Sequence, residues 1–359
     1  MHLSHPQPDA AARARRQCRP WWRHGVPLRS YLKSAVPLGR CVAAALVLAG
    51  ACAFAHADDY PVRPVRIIVP YAPGGQADAA VRILAHEFSV LLQQPFTVEN
   101  VPGSSGLAAI NALMRAPADG YTLSYGDAGH WAINFAVNPA LPFDPERDFA
   151  AVGLFGRSAG LFIVVNDAVP ARTLTELVAL ARAGPGTLSY ASAGIGSIHH
   201  LIMEDFKARL GLDVVHIPYK GSSQAMPAVV GGQVPIAIAS LANVTSFAKD
   251  GRIRVLGVST ATRSPMAPSV PPMAEAGVAG FDHNTEAGLI ARAGTPHAII
   301  NRLSQALGRM VAMPEVAAGF AKAGMEPVPD TTPARLAERM RDDRRKYARI
   351  VRAAGITSE

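Results

Sequence analysis

The sequence predicts an α/β fold in two domains. Short β-branched strands alternate with amphipathic helices from residue 65 onward, the pattern of mostly parallel sheets covered by helices. Residues 58–359 exceed what one hydrophobic core usually holds, so two domains are the default. Twice, a glycine-rich turn stands between a strand end and a helix start. That arrangement presents bare backbone N–H groups at the positive end of a helix dipole, where anions bind.

Val65–Val69 is β-branched apart from Arg66 and reads as a buried strand. Pro70-Tyr-Ala-Pro-Gly-Gly75 breaks it sharply. Val81, Leu84, Ala85, Phe88, Leu91 and Leu92 then recur at helical spacing. Further strands are expected at 96–99, 122–125, 161–165, 214–217, 236–239, 254–259 and 288–290. Helices are expected at 79–93, 106–115, 174–183, 198–209, 224–230, 297–312 and 333–354. The last has Thr332 as N-cap, Pro333 as first helical residue, and an apolar side of Leu336, Met340, Tyr347, Ile350 and Val351. Its Arg341, Arg344, Arg345, Lys346 and Arg349 are offset by Asp342 and Asp343 and read as a solvated face.

Residues 1–57 read as an export signal. Eight basic residues precede the apolar run Cys41–Ala55, and Ala55-His-Ala57 matches the small-x-small cleavage pattern. A rival cut before Cys52 would give a lipid-anchored protein, but Ala49 stands where a leucine is usual. The apolar run is too short for a membrane span. Of the 35 Lys and Arg, eight lie in this segment, against only Asp9 of the 27 acids, so the remainder is near +1. The overall +8 therefore points to no nucleic-acid partner. Cys18, Cys41 and Cys52 also fall in the leader, which leaves no cysteine for disulfides or thiolate metal sites.

In a doubly wound sheet, ligands sit at the carboxyl ends of strands. Three loops have that polarity: Pro73-Gly74-Gly75-Gln76, Gly126-Asp127-Ala-Gly-His130, and Ser192-Ala193-Gly194-Ile-Gly196-Ser197. They suggest one cleft. Asp78 reads equally as a helix cap or a ligand contact, and Lys220 as a cleft or surface residue. Gly194-Ile-Gly196 is too short for a dinucleotide fingerprint. His199, His200 and Glu204 fall short of a zinc site, which wants three or four ligands. Gly156-Arg-Ser158-Ala-Gly160 matches the nucleophile-elbow spacing, but a strand rather than a helix follows, so Ser158 reads as a loop residue. Trp131 reads as a packing residue.

Ordered motifs along residues 60–359 extend this reading: Tyr60-Pro-Val-Arg-Pro64, Val69-Pro-Tyr-Ala-Pro-Gly-Gly-Gln-Ala-Asp78, Val98-Glu-Asn-Val-Pro-Gly103, Ala118-Asp-Gly-Tyr-Thr-Leu123, Tyr190-Ala-Ser-Ala-Gly-Ile-Gly-Ser-Ile-His-His-Leu201, Ile217-Pro-Tyr-Lys-Gly221, Ala274-Glu-Ala-Gly277 and Ala293-Gly-Thr-Pro296. In these the chain resembles the solute-binding proteins of tripartite tricarboxylate transporters, the Bordetella uptake gene (Bug) family. The resemblance implies a two-domain, type II periplasmic-binding-protein fold with two crossovers, one domain formed by 58–159 plus 285–359 and the other by 160–284. It implies a carboxylate held by backbone N–H groups of Gly74, Gly75, Gln76, Ala77 and Asp78, beside Tyr71 and Asp127. Ser192, Ala193, Gly194, Gly196 and Ser197 of the other domain would close on it. Three positions depart from the family pattern: Asp127 replaces a frequent hydroxyl, Glu286-Ala287 replaces an aromatic pair, and Pro235 replaces an acid.

The expected protein is thus a periplasmic, monomeric solute-binding protein, not an enzyme, with no cofactor and no metal. It would capture a small carboxylate-bearing molecule (an organic acid, an amino acid or a related zwitterion) and deliver it to membrane permease subunits. The alternatives are an exported hydrolase using Ser158, or a protein that presents its ligand to a membrane sensor.

Overall fold

The computed structural model describes residues 59–248 and 251–357. The expected export signal, its three cysteines and the Ala55–Ala57 cleavage pattern lie outside the described residues. The chain first runs β1 (Val65–Val69), α1 (Gln76–Leu92), β2 (Phe96–Asn100), α2 (Leu107–Arg115), β3 (Thr122–Gly126), α3 (Asn134–Val137), α4 (Pro145–Asp148) and β4 (Phe149–Ser158). It continues through β5 (Leu161–Asn166), α5 (Leu174–Ala183), β6 (Ser189–Ser192), α6 (Ile198–Leu210), β7 (Val215–Pro218), α7 (Ser222–Val230), β8 (Ile236–Ser240), α8 (Leu241–Ala248) and β9 (Ile253–Val258). It ends with β10 (Glu286–Arg292), α9 (His297–Val311), α10 (Pro314–Lys322), β11 (Met325–Pro327) and α11 (Pro333–Ala353).

These strands form two sheets, ordered β11-β4-β10-β3-β1-β2 and β7-β6-β8-β5-β9. The chain leaves the first sheet after β4 and returns at β10, which gives two lobes and two crossovers. β1 lies between β3 and the edge strand β2 and is covered on both faces. Val65, Ile67 and Val69 pack into the core under α1 and α9, while Ile68 faces α2 and α11. α1 turns Ala80, Val81, Leu84, Ala85 and Phe88 onto the sheet, and Phe88 stacks on Phe96 with ring centroids 4.7 Å apart.

The sheets are mixed rather than mostly parallel. β1 runs parallel to β2 and β3, and β6 parallel to β7 and β8. β4 and β10 pair antiparallel, as do β5 and β9. These are the strands that flank the crossovers: one of each pair carries the chain towards the other lobe and its partner brings it back, so they must oppose each other.

Three strands, β4, β6 and β11, had no counterpart among the expected strands. β4 carries two Ala and two Gly, residues depleted in strands. Its Gly153 is there for space, since a Cβ at that position would lie 2.1 Å from the Thr331 carbonyl oxygen.

α11 closes the first lobe. Thr332 Oγ1 accepts from the Arg335 N–H at 3.3 Å and Pro333 opens the helix. The apolar side is as expected, but Asp343 is not on the solvated face. It is buried, and its Oδ2 accepts from Trp131 Nε1 and Arg339 Nε, each at 2.9 Å. Burial raises its carboxyl pKa above the ordinary value, against the pull of Arg339 and Trp131.

Candidate functional site

Between the two sheets lies a cleft of about 660 Å³, walled by loops of both lobes. From the first lobe come Tyr71 to Ala77, Tyr125, Asp127 and Gly324; from the crossovers, Ser158 to Leu161 and Thr285; from the second lobe, Ile198, Ser222, Ser240 and Leu241.

The first glycine loop forms one end. Gly75 caps α1 in an extended conformation and offers no side chain to the helix N–H groups. The first backbone bond of this turn runs from the Ala79 N–H to the Gly75 carbonyl at 2.9 Å. The N–H groups of Gln76, Ala77 and Asp78 therefore have no acceptor within the helix, as at any helix start. Asp78 does not line the cleft. It is 3% exposed and works beneath the loop: Oδ2 accepts from the Gly74 N–H at 2.9 Å and from Arg82 Nε at 3.0 Å, and Oδ1 accepts from Asn100 Nδ2 at 2.9 Å. Asn100 Nδ2 also donates to the Tyr71 carbonyl at 3.0 Å. Burial pushes the Asp78 carboxyl up, but the bonds from Arg82, Gly74 and Asn100 together hold it below the ordinary value. The Asp78 side chain is thus a clamp that fixes the loop, and only its backbone N–H is left for a ligand. The Gln76 side chain donates to the carbonyl of Gly324, itself on the wall, at 2.6 Å.

Asp127 follows β3 and lies on the wall, 7% exposed. Its Oδ2 accepts from the hydroxyls of Tyr71 at 2.7 Å and Tyr125 at 3.3 Å. Its Oδ1 accepts from the Gly129 N–H at 2.9 Å and sits 2.8 Å from His130 Nδ1. Burial raises this carboxyl, yet the His130 ring and the bonds from His130, Tyr71 and Gly129 outweigh it and hold the group below the ordinary range. The Tyr71 and Tyr125 rings meet edge to face with centroids 5.8 Å apart. Asp127 thus organises an aromatic wall, and a ligand ammonium would find both oxygens occupied.

Ser192, Ala193, Gly194, Gly196 and Ser197 do not line this cleft; Ile198, the next residue, does. Three backbone donors of this loop are spent internally. The Gly194 N–H donates to Ser192 Oγ at 3.1 Å, the Gly196 N–H to His200 Nδ1 at 3.1 Å and the Ser197 N–H to the Gly194 carbonyl at 3.2 Å. His200 stacks on His216 with centroids 3.8 Å apart, and His216 Nε2 lies 2.6 Å from Ser192 Oγ. Burial lowers the pKa of both rings, that of His216 to about 4, so both are uncharged at neutral pH.

The other expectations divide. Lys220 is exposed and not on the wall. Glu286 faces α11, where Oε2 accepts from Arg339 at 3.1 Å, with Arg335 at 3.5 Å. Trp131 is buried in the core. Among the described residues no group of three or more His, Cys, Asp and Glu is placed to hold a metal. Ser158 does reach the wall, which the sequence reading missed, and its Oγ accepts from the Gly160 N–H at 3.4 Å. Ser222 and Leu241 were also missed. With Ile198, each is the first residue of a helix, so strand-end and helix-start polarity would have been a usable signal.

The profile described as "Tripartite tricarboxylate transporter family receptor" matches residues 80–356. The chain is 33% identical over 314 residues to Protein BugT of Bordetella pertussis, covering 86% of this chain and 95% of that protein. An R. palustris protein solved with adipate superposes with TM-score 0.73 at 30% identity, over 83% of this chain and 99% of that one. The periplasmic binding protein BugD superposes with TM-score 0.69 at 28% identity, over 84% of this chain and all of that one.

Proposed function

The chain belongs to the tripartite tricarboxylate transporter receptor family, which includes the Bug proteins, and from that premise we propose that it captures a small carboxylate-bearing organic molecule in the periplasm and hands it to the permease subunits of such a transporter. The observation that carries this is the free helix start on the cleft wall. Gly74, Gly75, Gln76 and Ala77 face a cavity of ligand size, and the donors of α1 have no internal partner. A carboxylate placed there completes the helix end, with Tyr71 beside it.

We assign the lobes as 58–159 with 285–359, and 160–284; the split of strands between the two sheets supports this. Contacts to Ile198, Ser222 and Leu241 from the second lobe would favour a closed state, by as much as the ligand's preference for it. The adipate bound by the R. palustris relative is a carboxylate of fitting size. The same role could serve a membrane sensor, a choice that neighbouring permease genes would decide. The Ser158 hydrolase is disfavoured: among the described residues its hydroxyl has no imidazole partner, and β5 follows it directly.

A thermal-shift screen of mono-, di- and tricarboxylates, amino acids and aromatic acids tests the proposal. A ligand at about 100 times its Kd stabilises by roughly 2.7 kcal/mol. No shift with any carboxylate would remove the reading.

A further inference from the structure

Building on the carboxylate-capture reading above, we propose that the cleft selects an organic acid with one carboxylate and an uncharged, largely apolar body, and that Asp127 sets this preference by excluding a second carboxylate. Among the described residues the wall carries no Lys, Arg or His, and its one acid is Asp127. His199 stands behind Ser222, with its Nε2 3.5 Å from Ser222 Oγ, and burial lowers its pKa to about 4, which leaves it uncharged at neutral pH.

A carboxylate has about four lone-pair sites. At Asp127 the Tyr71 and Tyr125 hydroxyls, the Gly129 N–H and the His130 ring occupy them. The group is therefore a fixed charge and not a free acceptor. It has no lone pair left for a hydrogen bond from an ammonium. A second ligand carboxylate in the cleft would meet it as a like charge, in partly desolvated space; the His130 ring, 2.8 Å from Oδ1 and behind the wall, is the basic group beside it, and among the described residues no Lys or Arg lines the wall. The first carboxylate escapes this by sitting at the start of α1.

The rest of the wall suits an uncharged body. The Tyr71 and Tyr125 rings, Ala159, Leu161, Ile198 and Leu241 give apolar surface. The hydroxyls of Ser158, Ser222, Ser240 and Thr285 can meet a neutral polar substituent.

The test uses six-carbon acids matched in length: hexanoate, adipate, and adipate monomethyl ester, which keeps the adipate shape with one charge. Calorimetry on the wild type should give hexanoate and the monoester at least about tenfold tighter binding than adipate. In Asp127→Asn that gap should shrink to about threefold or less. Adipate binding as tightly as the monoester in wild type, or an unchanged gap in a folded Asp127→Asn, overturns the proposal while leaving carboxylate capture intact. The ester comparison decides the matter on wild type alone if the variant does not fold. Absence of binding by every carboxylate tested overturns both.

Discussion

Two loops of this molecule share one sequence device and use it differently. Each places glycines between a strand end and a helix start. At Gly74–Gly75 the helix start is bare, reaches the cleft wall, and is braced from below by the buried Asp78 carboxylate. At Gly194–Gly196 the same kind of backbone is turned inward, its N–H groups bonded to Ser192 and His200. What separates them is the acceptor that local side chains provide. An anion site needs donors that nothing else has taken, so a glycine-rich turn by itself does not define one.

The sharpest way to break this contrast is Gly75→Val. A Cβ at Gly75 would meet only the Ala72 carbonyl oxygen, at 3.8 Å, and the backbone is in an ordinary extended conformation, so the fold should tolerate it. The isopropyl group would screen the helix start, and calorimetry should show a loss of roughly a hundredfold or more in affinity, as for two or three charge-assisted hydrogen bonds. Gly196 is a poorer control, because its φ is +70° and a Cβ would lie 3.1 Å from Val137.

Asp78→Ala should act on stability first. It leaves the Gly74 N–H and Asn100 without their acceptor, at a cost of about 1–3 kcal/mol in chemical denaturation. The wild-type advantage should depend on pH in a fixed sense. The folded-state pKa lies below the ordinary 3.8, so the advantage is complete above that value and lost as pH falls through the lower, folded one.

The second loop should unlock earlier. The Gly196 N–H is accepted by the His200 imidazole, whose pKa is lowered, and His216, stacked on it and beside Ser192, is lowered to about 4 from 6.5. The unfolded chain takes up these protons below 6.5 while the folded one resists, so this stabilisation is full above 6.5 and falls away towards 4. Hydrogen exchange corrected for intrinsic rates should show Gly196 losing protection across that window while Gly74 keeps it. The smallest effect belongs to Ser192→Ala, which should change ligand affinity by less than about threefold, since the hydroxyl serves its own loop and not the cleft.

Local features were legible in the sequence and long-range ones were not. β1 and α5 have the bounds expected, β1 from its β-branched run buried on both faces and α5 from the periodic mark left by burial of one helix face. The first loop was legible for the same reason: strand, glycines and helix are contiguous. β4 was hidden by its glycines, needed where Thr331 crosses close by. The burial of Asp343 depends on Trp131, more than two hundred residues away in sequence. The spent state of Asp127 depends on Tyr71, and that of the second loop on His216 beside Ser192. No local pattern encodes such pairings. Ser222 and Ser240 reach the wall through short hydroxyl side chains that carry no periodic signal.

The central claim, that the bare start of α1 and not the Gly194–Gly196 turn grips the carboxylate, is tested most directly by amide resonances. Isotope-labelled protein would be titrated with the tightest carboxylate found in the screen. The backbone N–H signals of Gly75, Gln76 and Ala77 should move strongly downfield as they gain an anionic acceptor, while those of Gly194 and Gly196 change little. Large downfield shifts at Gly194 and Gly196, with Gly75 to Ala77 unmoved, would contradict it.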